Sequence, residues 1–146
     1  MAINPTVGTR TSLTCTGLST LASGTYVASN NYNCNTNKPV DVIIDVALAT
    51  TNTPSGNKQA NVFIIESLDG TNYRSGPTSG TTTTDEPDLK LIGVIFLYTA
   101  TNTHEGTFSL KQALGYIPYG FKVVIKNDLG VALTSGSINT SEITIS

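Results

Sequence analysis

The stretch Val62-Phe63-Ile64-Ile65-Glu66-Ser67-Leu68-Asp69-Gly70-Thr71-Asn72-Tyr73 decides the fold class. Its apolar run, rich in β-branched residues, favours a central strand covered on both faces. Asp-Gly behind such a run signals a tight turn, because glycine takes positive φ without a Cβ clash. The run is read as a strand over residues 60–68. Just upstream, residues 40–49 show the clearest alternation in the chain. Val42, Ile44, Val46 and Leu48 share one face, and Asp41, Ile43, Asp45 and Ala47 the other. A period of two puts the first set on the core and leaves Ile43 as an apolar spot between two aspartates.

Working outward, the chain alternates short β-rich runs with clusters of Gly, Pro, Asn, Thr and Ser. Residues 11–18 read as a first strand, with Leu13 and Cys15 tending inward, and residues 25–28 as a short second one. Residues 30–39 and 50–59 read as loops. Residues 89–99 are apolar on both faces and predict either the innermost strand or an interface strand; left free at an edge, such a strand is an aggregation hazard. Residues 101–106 read as a loop. Residues 108–113 fit either a strand or one helical turn. Phe121, Val123 and Ile125 alternate with Lys122, Val124 and Lys126, and the turn signal at residues 127–130 predicts residues 131–134 as a hairpin partner. Ile138, Ile143 and Ile145 mark a weakly specified last strand. These elements predict a single all-β domain over residues 1–146, an antiparallel β-sandwich or jelly roll of roughly seven to nine strands, with a closed barrel as the alternative. Residues 1–10 read as an extended N-terminal arm and residues 135–146 as a C-terminal tail or edge strand.

Composition narrows the function classes. Charged residues make up 12% of the chain, and Thr, Ser and Asn together roughly a third. Sheets of that composition carry uncharged polar surfaces, which suits packing beside many copies or on a larger assembly. The net charge is −2 and the eight basic residues are scattered, which argues against a nucleic-acid or anionic-membrane surface. Met1-Ala2-Ile3-Asn4-Pro5 lacks the pattern of a secretory signal, so cytoplasmic synthesis is the expectation.

No residue set points to chemistry. The single histidine, His104, has no orienting carboxylate in prospect, since Glu105 would point to the opposite face of a strand. Asp41 and Asp45 stand roughly 13 Å apart by strand rise, too far for paired glycosidase carboxylates; a solvated face or salt bridges to a neighbouring subunit is expected. Cys15, Cys34 and one distant histidine do not make an ordinary closed zinc site, and the two cysteines are expected as free thiols behaving as small hydrophobes. Asp85, Glu86 and Asp88 lack the ligand spacing of a calcium loop. The six tyrosines suit interfaces or the core better than sugar platforms. The expectation is a protein that is not an enzyme, with no catalytic, cofactor-binding or metal-binding residue.

A longer pattern carries a resemblance. It runs through Ser12-Leu13-Thr14, Leu18-Ser19-Thr20-Leu21-Ala22-Ser23-Gly24, Ser29-Asn30-Asn31, Val40 to Leu48, Leu68-Asp69-Gly70-Thr71-Asn72-Tyr73, Leu91-Ile92-Gly93-Val94-Ile95, and Tyr119-Gly120-Phe121-Lys122-Val123-Val124-Ile125-Lys126-Asn127. In order and spacing this resembles a family of small β-sandwich structural proteins of tailed bacteriophage particles. The resemblance covers most of the chain and rests on structural rather than chemical motifs. It implies a capsid decoration (cement) protein on the virion exterior, assembled in the host cytoplasm. The implied partners are the major capsid protein or other virion proteins and copies of the chain itself, a trimer being favoured, without nucleic acid, membrane or cofactor. A head-fibre, collar or tail component, or a carbohydrate- or host-surface-binding module, is the alternative. Under that reading the interface residues are Ile3, Pro5 and Arg10 in the arm, Ile43 on the outer strand face, Pro77, Asp85, Glu86 and Pro87 in the loop of residues 75–87, and Ile143 and Ile145 near the C-terminus.

Overall fold

The computed structural model describes residues 2–76, 80–82 and 88–146. Two antiparallel sheets pack face to face, as the alternating runs require. The first sheet contains β1 (Pro5–Val7), β2 (Thr11–Leu13), β5 (Asp41–Ala49), β9 (His104–Ser109) and β11 (Ser135–Ile145). The second contains β3 (Tyr26–Ala28), β4 (Tyr32–Asn33), β6 (Gln59–Ser67), β7 (Gly80–Thr82), β8 (Lys90–Phe96) and β10 (Gly120–Asp128). The β-sandwich expectation holds, with more strands than the sequence showed. The additional ones are two or three residues long, too short to display a period.

The core lies where the alternation put it. Val42, Ile44, Val46 and Leu48 are fully buried, facing Ala60, Val62 and Ile64 of β6 and Phe121, Val123 and Ile125 of β10. Burying each such aliphatic side chain stabilises the fold by about 1.5–3 kcal/mol. β6 is central, between β10 and β8, and its second face carries a smaller cluster: Ile65 with Tyr26, Ala28 and Val124, flanked by Phe63, Tyr73 and Leu89. Two apolar faces explain the unbroken hydrophobic run.

The Asp-Gly signal marks a chain reversal, built around the aspartate rather than as a two-residue hairpin. The Asp69 carboxylate accepts hydrogen bonds from the Thr71 and Asn72 backbone N–H groups, both at 2.8 Å. Tyr73 then bridges back to Ser67. Gly70 sits at φ 79°, and a Cβ there would collide with the Tyr119 ring. The Asn72 and Thr71 backbone bonds, with those from the Asn72 and Ser67 side chains, hold the Asp69 carboxyl well below the usual carboxylate range.

Five expectations are corrected. Residues 135–146 are not a tail or edge strand: β11 pairs with β5 along Ser135–Ile143 and with β1 and β2 on its other side. Its Ile138 and Thr140 point inward and are buried, while the serines and asparagine on the other face hid a central strand. Within residues 1–10, Pro5–Val7 do not stand away as an arm but are hydrogen-bonded into the sheet as β1. Residues 131–134 form no strand; they cross between the sheets, held by Asn127, whose buried amide donates to the Leu21 and Val131 carbonyls. Residues 89–99 are not innermost, since β8 is the outer strand of its sheet. Finally, His104 to Gly106 begin β9 rather than lying in a loop. The ambiguous stretch resolves into both alternatives, with β9 ending at Ser109 and helix α1 (Leu110–Leu114) following, N-capped by the Ser109 hydroxyl.

Candidate interaction surfaces

The N- and C-terminal segments meet at one corner of the sandwich. β1 runs antiparallel to the end of β11, with Pro5 opposite Ile145 and Val7 opposite Ile143. Opposed residues share a face, so these four side chains project together from the outer side of the five-stranded sheet. Val7 is 66% exposed and Ile145 50%, and Ile3, just before β1, is 68% exposed. Four nominated residues, Ile3, Pro5, Ile143 and Ile145, are thereby gathered with Val7, which the sequence reading did not single out. Pro77, Asp85, Glu86 and Pro87 lie outside the described residues.

Ile43 and Arg10 lie on the same outer face, in different surroundings. Arg10 is ion-paired with Asp45 at 2.5 Å, and Thr107 donates to the same carboxylate. Asp41 accepts from the Ser109 hydroxyl and from the backbone N–H groups of Lys111 and Val42. Both aspartates thus have partners within their own chain while remaining partly exposed on that face. Ile43 sits half-buried between them.

A second apolar surface runs along β8. Leu91 stands opposite Phe63, and Phe96 opposite Gln59, on the outer side of the six-stranded sheet. They are 57% and 61% exposed. Tyr98, 65% exposed just beyond β8, meets the His104 ring of β9 edge-on at 5.0 Å between centroids. The sequence marked this run as an innermost strand or an interface strand; its edge position excludes the first.

Glu66, at the end of β6, is buried and receives Arg74 at 2.7 Å, Lys90 at 3.4 Å and the Tyr116 hydroxyl at 3.3 Å. Burial pushes its carboxyl up, but its own backbone N–H together with Lys90 and Arg74 outweighs that and holds it below the ordinary value. Glu142 of β11 carries the second carboxylate of interest. It accepts from the Tyr32 hydroxyl at 2.8 Å and from the Asn37 amide at 2.7 Å. No sequence signal singles it out, because Glu142 reads as one more polar residue in a weak strand. Cys15 and Cys34 are free thiols, half-buried and buried, and burial pushes both up to about 12. Among the described residues, no group of three or more His, Cys, Asp or Glu side chains could hold a metal ion.

No protein-family model matches the chain, and no curated protein matches it.

Proposed function

We propose that this protein is a non-enzymatic structural component of a tailed-phage particle that decorates the capsid exterior as an oligomer, a trimer being favoured. The observation that supports the reading is the corner where β1 and β11 meet. The chain's two ends deliver exposed Ile3, Val7 and Ile145 to one place, beside Pro5 and Ile143. Apolar side chains clustered on a surface mark a contact with another protein. The motif order of the sequence, which resembles small virion sandwiches, supplies the kind of particle. Mechanically, each copy bridges neighbouring capsomers and buries apolar surface at about 25 cal/mol per Å², which must be re-exposed before the shell opens. Closed symmetry reuses one patch at every contact.

Quantitative mass spectrometry of purified particles tests this. A ratio to the major capsid protein of about one, or about one third, supports decoration of a symmetric lattice. A count of a few copies per particle moves the protein to a vertex, collar or tail, and absence from the particle overturns the virion reading.

A further inference from the structure

We propose that a groove beside the β1–β11 corner receives a cationic side chain, an arginine in preference to a lysine, from a partner protein. The inference deepens the reading of that corner as an interface and rests on it.

The groove exists because the edge next to β11 is split. β1 leaves β11 at Val7 and β2 rejoins it at Thr11, so Gly8 to Arg10 step away from the sheet opposite Ser141 and Glu142. The step is anchored by the Gly8 N–H, which donates to the Glu142 carbonyl at 2.7 Å. A Cβ on Gly8 would stand 3.3 Å from that carbonyl oxygen, so a larger residue would crowd the step. The result is an open groove of about 550 Å³, with Thr9 and Thr11 on one wall and Tyr32 and Asn37 on the other. Glu142 and Thr144 line it between them.

Glu142 decides what fits. The parity of β11 places its side chain on the same side as the buried Thr140 and Ile138 rather than on the outer face. No lysine or arginine among the described residues forms an ion pair with it. Arg10, at the end of the step, is committed to Asp45. Among the described residues, the side-chain partners of Glu142 are two neutral donors, one on each oxygen. A carboxylate offers about four acceptor positions, so half of its capacity is unused while the charge is uncompensated. The negative charge is felt by its neighbours: burial, then the hydrogen bond to Glu142 and its charge, pushes the Tyr32 hydroxyl up.

A ligand with fixed positive charge and several donors answers this site. A guanidinium is planar, always charged and able to donate to a carboxylate while also reaching the threonine hydroxyls. An ammonium supplies the charge with fewer directed donors. A hard divalent cation needs six or more oxygens, several of them charged, and finds one carboxylate here. Val7 and Ile145 project from the opposite, outer side of the same sheet edge, so a partner that covers the edge gains apolar contact there while its guanidinium enters the groove.

The test is an NMR titration of the whole chain with N-acetyl-arginine amide, against N-acetyl-citrulline amide, its neutral isostere, at constant ionic strength. Saturable shifts are expected at the Gly8, Thr9, Asn37 and Glu142 amides with the arginine probe. The citrulline probe should bind at least about tenfold more weakly, since it lacks the charge. Glu142→Gln should abolish the difference between the probes while leaving the remaining spectrum in place, and Glu142→Asp should retain part of it. Absence of saturation, equal shifts with both probes, or unchanged binding by Glu142→Gln would overturn the proposal. So would tighter binding in Arg10→Ala, which would show that the chain fills the groove with its own guanidinium. Particle composition is measured separately. Arginine binding by a protein missing from particles refutes the virion reading alone, and a decorating protein that ignores the probe refutes only the groove.

Discussion

On the outer face of the five-stranded sheet, polar groups are matched within the chain: Asp41 with Ser109 and the start of α1, Asp45 with Arg10 and Thr107. On the outer face of the six-stranded sheet, Tyr26, Phe63, Ile65 and Val124 form an apolar cluster, and β8 extends it outward with exposed Leu91 and Phe96. Lysines trim this second face. Lys126 lies 5.3 Å from the Tyr26 ring centroid and Lys122 4.9 Å from that of Tyr73. Away from the β1–β11 corner, the first face has its polar groups matched within the chain; the second exposes apolar surface along β8. Hydrogen-bonded side chains let a sheet face water directly, whereas an apolar outer face gains stability only from something laid over it. The β1–β11 corner is where the polar face departs from its own pattern, and there the two chain ends meet.

The largest expected effect sets one face against the other. Ile65→Ala, on the apolar face at 1% exposure, should lose about 2–4 kcal/mol in urea or guanidinium unfolding. Ile43→Ala, half-buried on the polar face, should lose less than about 1.5 kcal/mol. Equal losses would show that the two faces are not different in kind.

Next in size is Glu66→Ala, which strands Arg74 and Lys90 and should cost about 1–3 kcal/mol. Its pH dependence has a definite sign. The folded carboxyl lies below its ordinary value of 4.5, so the unfolded chain takes up the proton first. The stabilisation is present above that value and is lost as pH falls through the lower folded one. Melting of wild type and Glu66→Gln, followed by circular dichroism, should therefore converge in acid and separate at neutral pH. A constant gap across the range would mean that the ionised carboxylate contributes nothing.

Asp45→Asn removes one surface ion pair and should change stability by only about 0.2–1 kcal/mol, shrinking further in high salt. A larger, salt-independent loss would give the polar face a structural weight that its exposure does not suggest. The smallest effect on stability belongs to β8. Leu91→Ser with Phe96→Ser should stay within about 0.5 kcal/mol per site while lowering binding of an apolar dye and any concentration-dependent sedimentation. A marked loss of stability would mean that these side chains are already packed.

Much of the architecture could be read locally. The alternation from Val42 to Leu48, the doubly apolar run of β6 and the reversal at Asp69-Gly70 each depend on neighbours in the chain, so pattern and turn chemistry sufficed. The candidate surfaces were legible only in part. Ile3, Pro5, Ile143 and Ile145 stood out as apolar residues near the two ends, and the strip along β8 as a strand with too much hydrophobicity for one face. Glu142 was not legible, because an inward carboxylate and an outward one look alike until the register is known.

What the sequence by itself determined is the all-β class, the inner face of β5 and the turn after β6, because side-chain alternation and glycine conformation act over a few residues. What only the tertiary structure decided is the place of β11 between β5 and the split pair β1 and β2, the edge position of β8, and the meeting of the two termini. Those follow from hydrogen-bonded pairing between segments distant in the chain, such as β6 with β8 and, furthest apart, Pro5 with Ile145. Backbone pairing of that kind uses groups that every residue carries, and so leaves little mark on which residues are present.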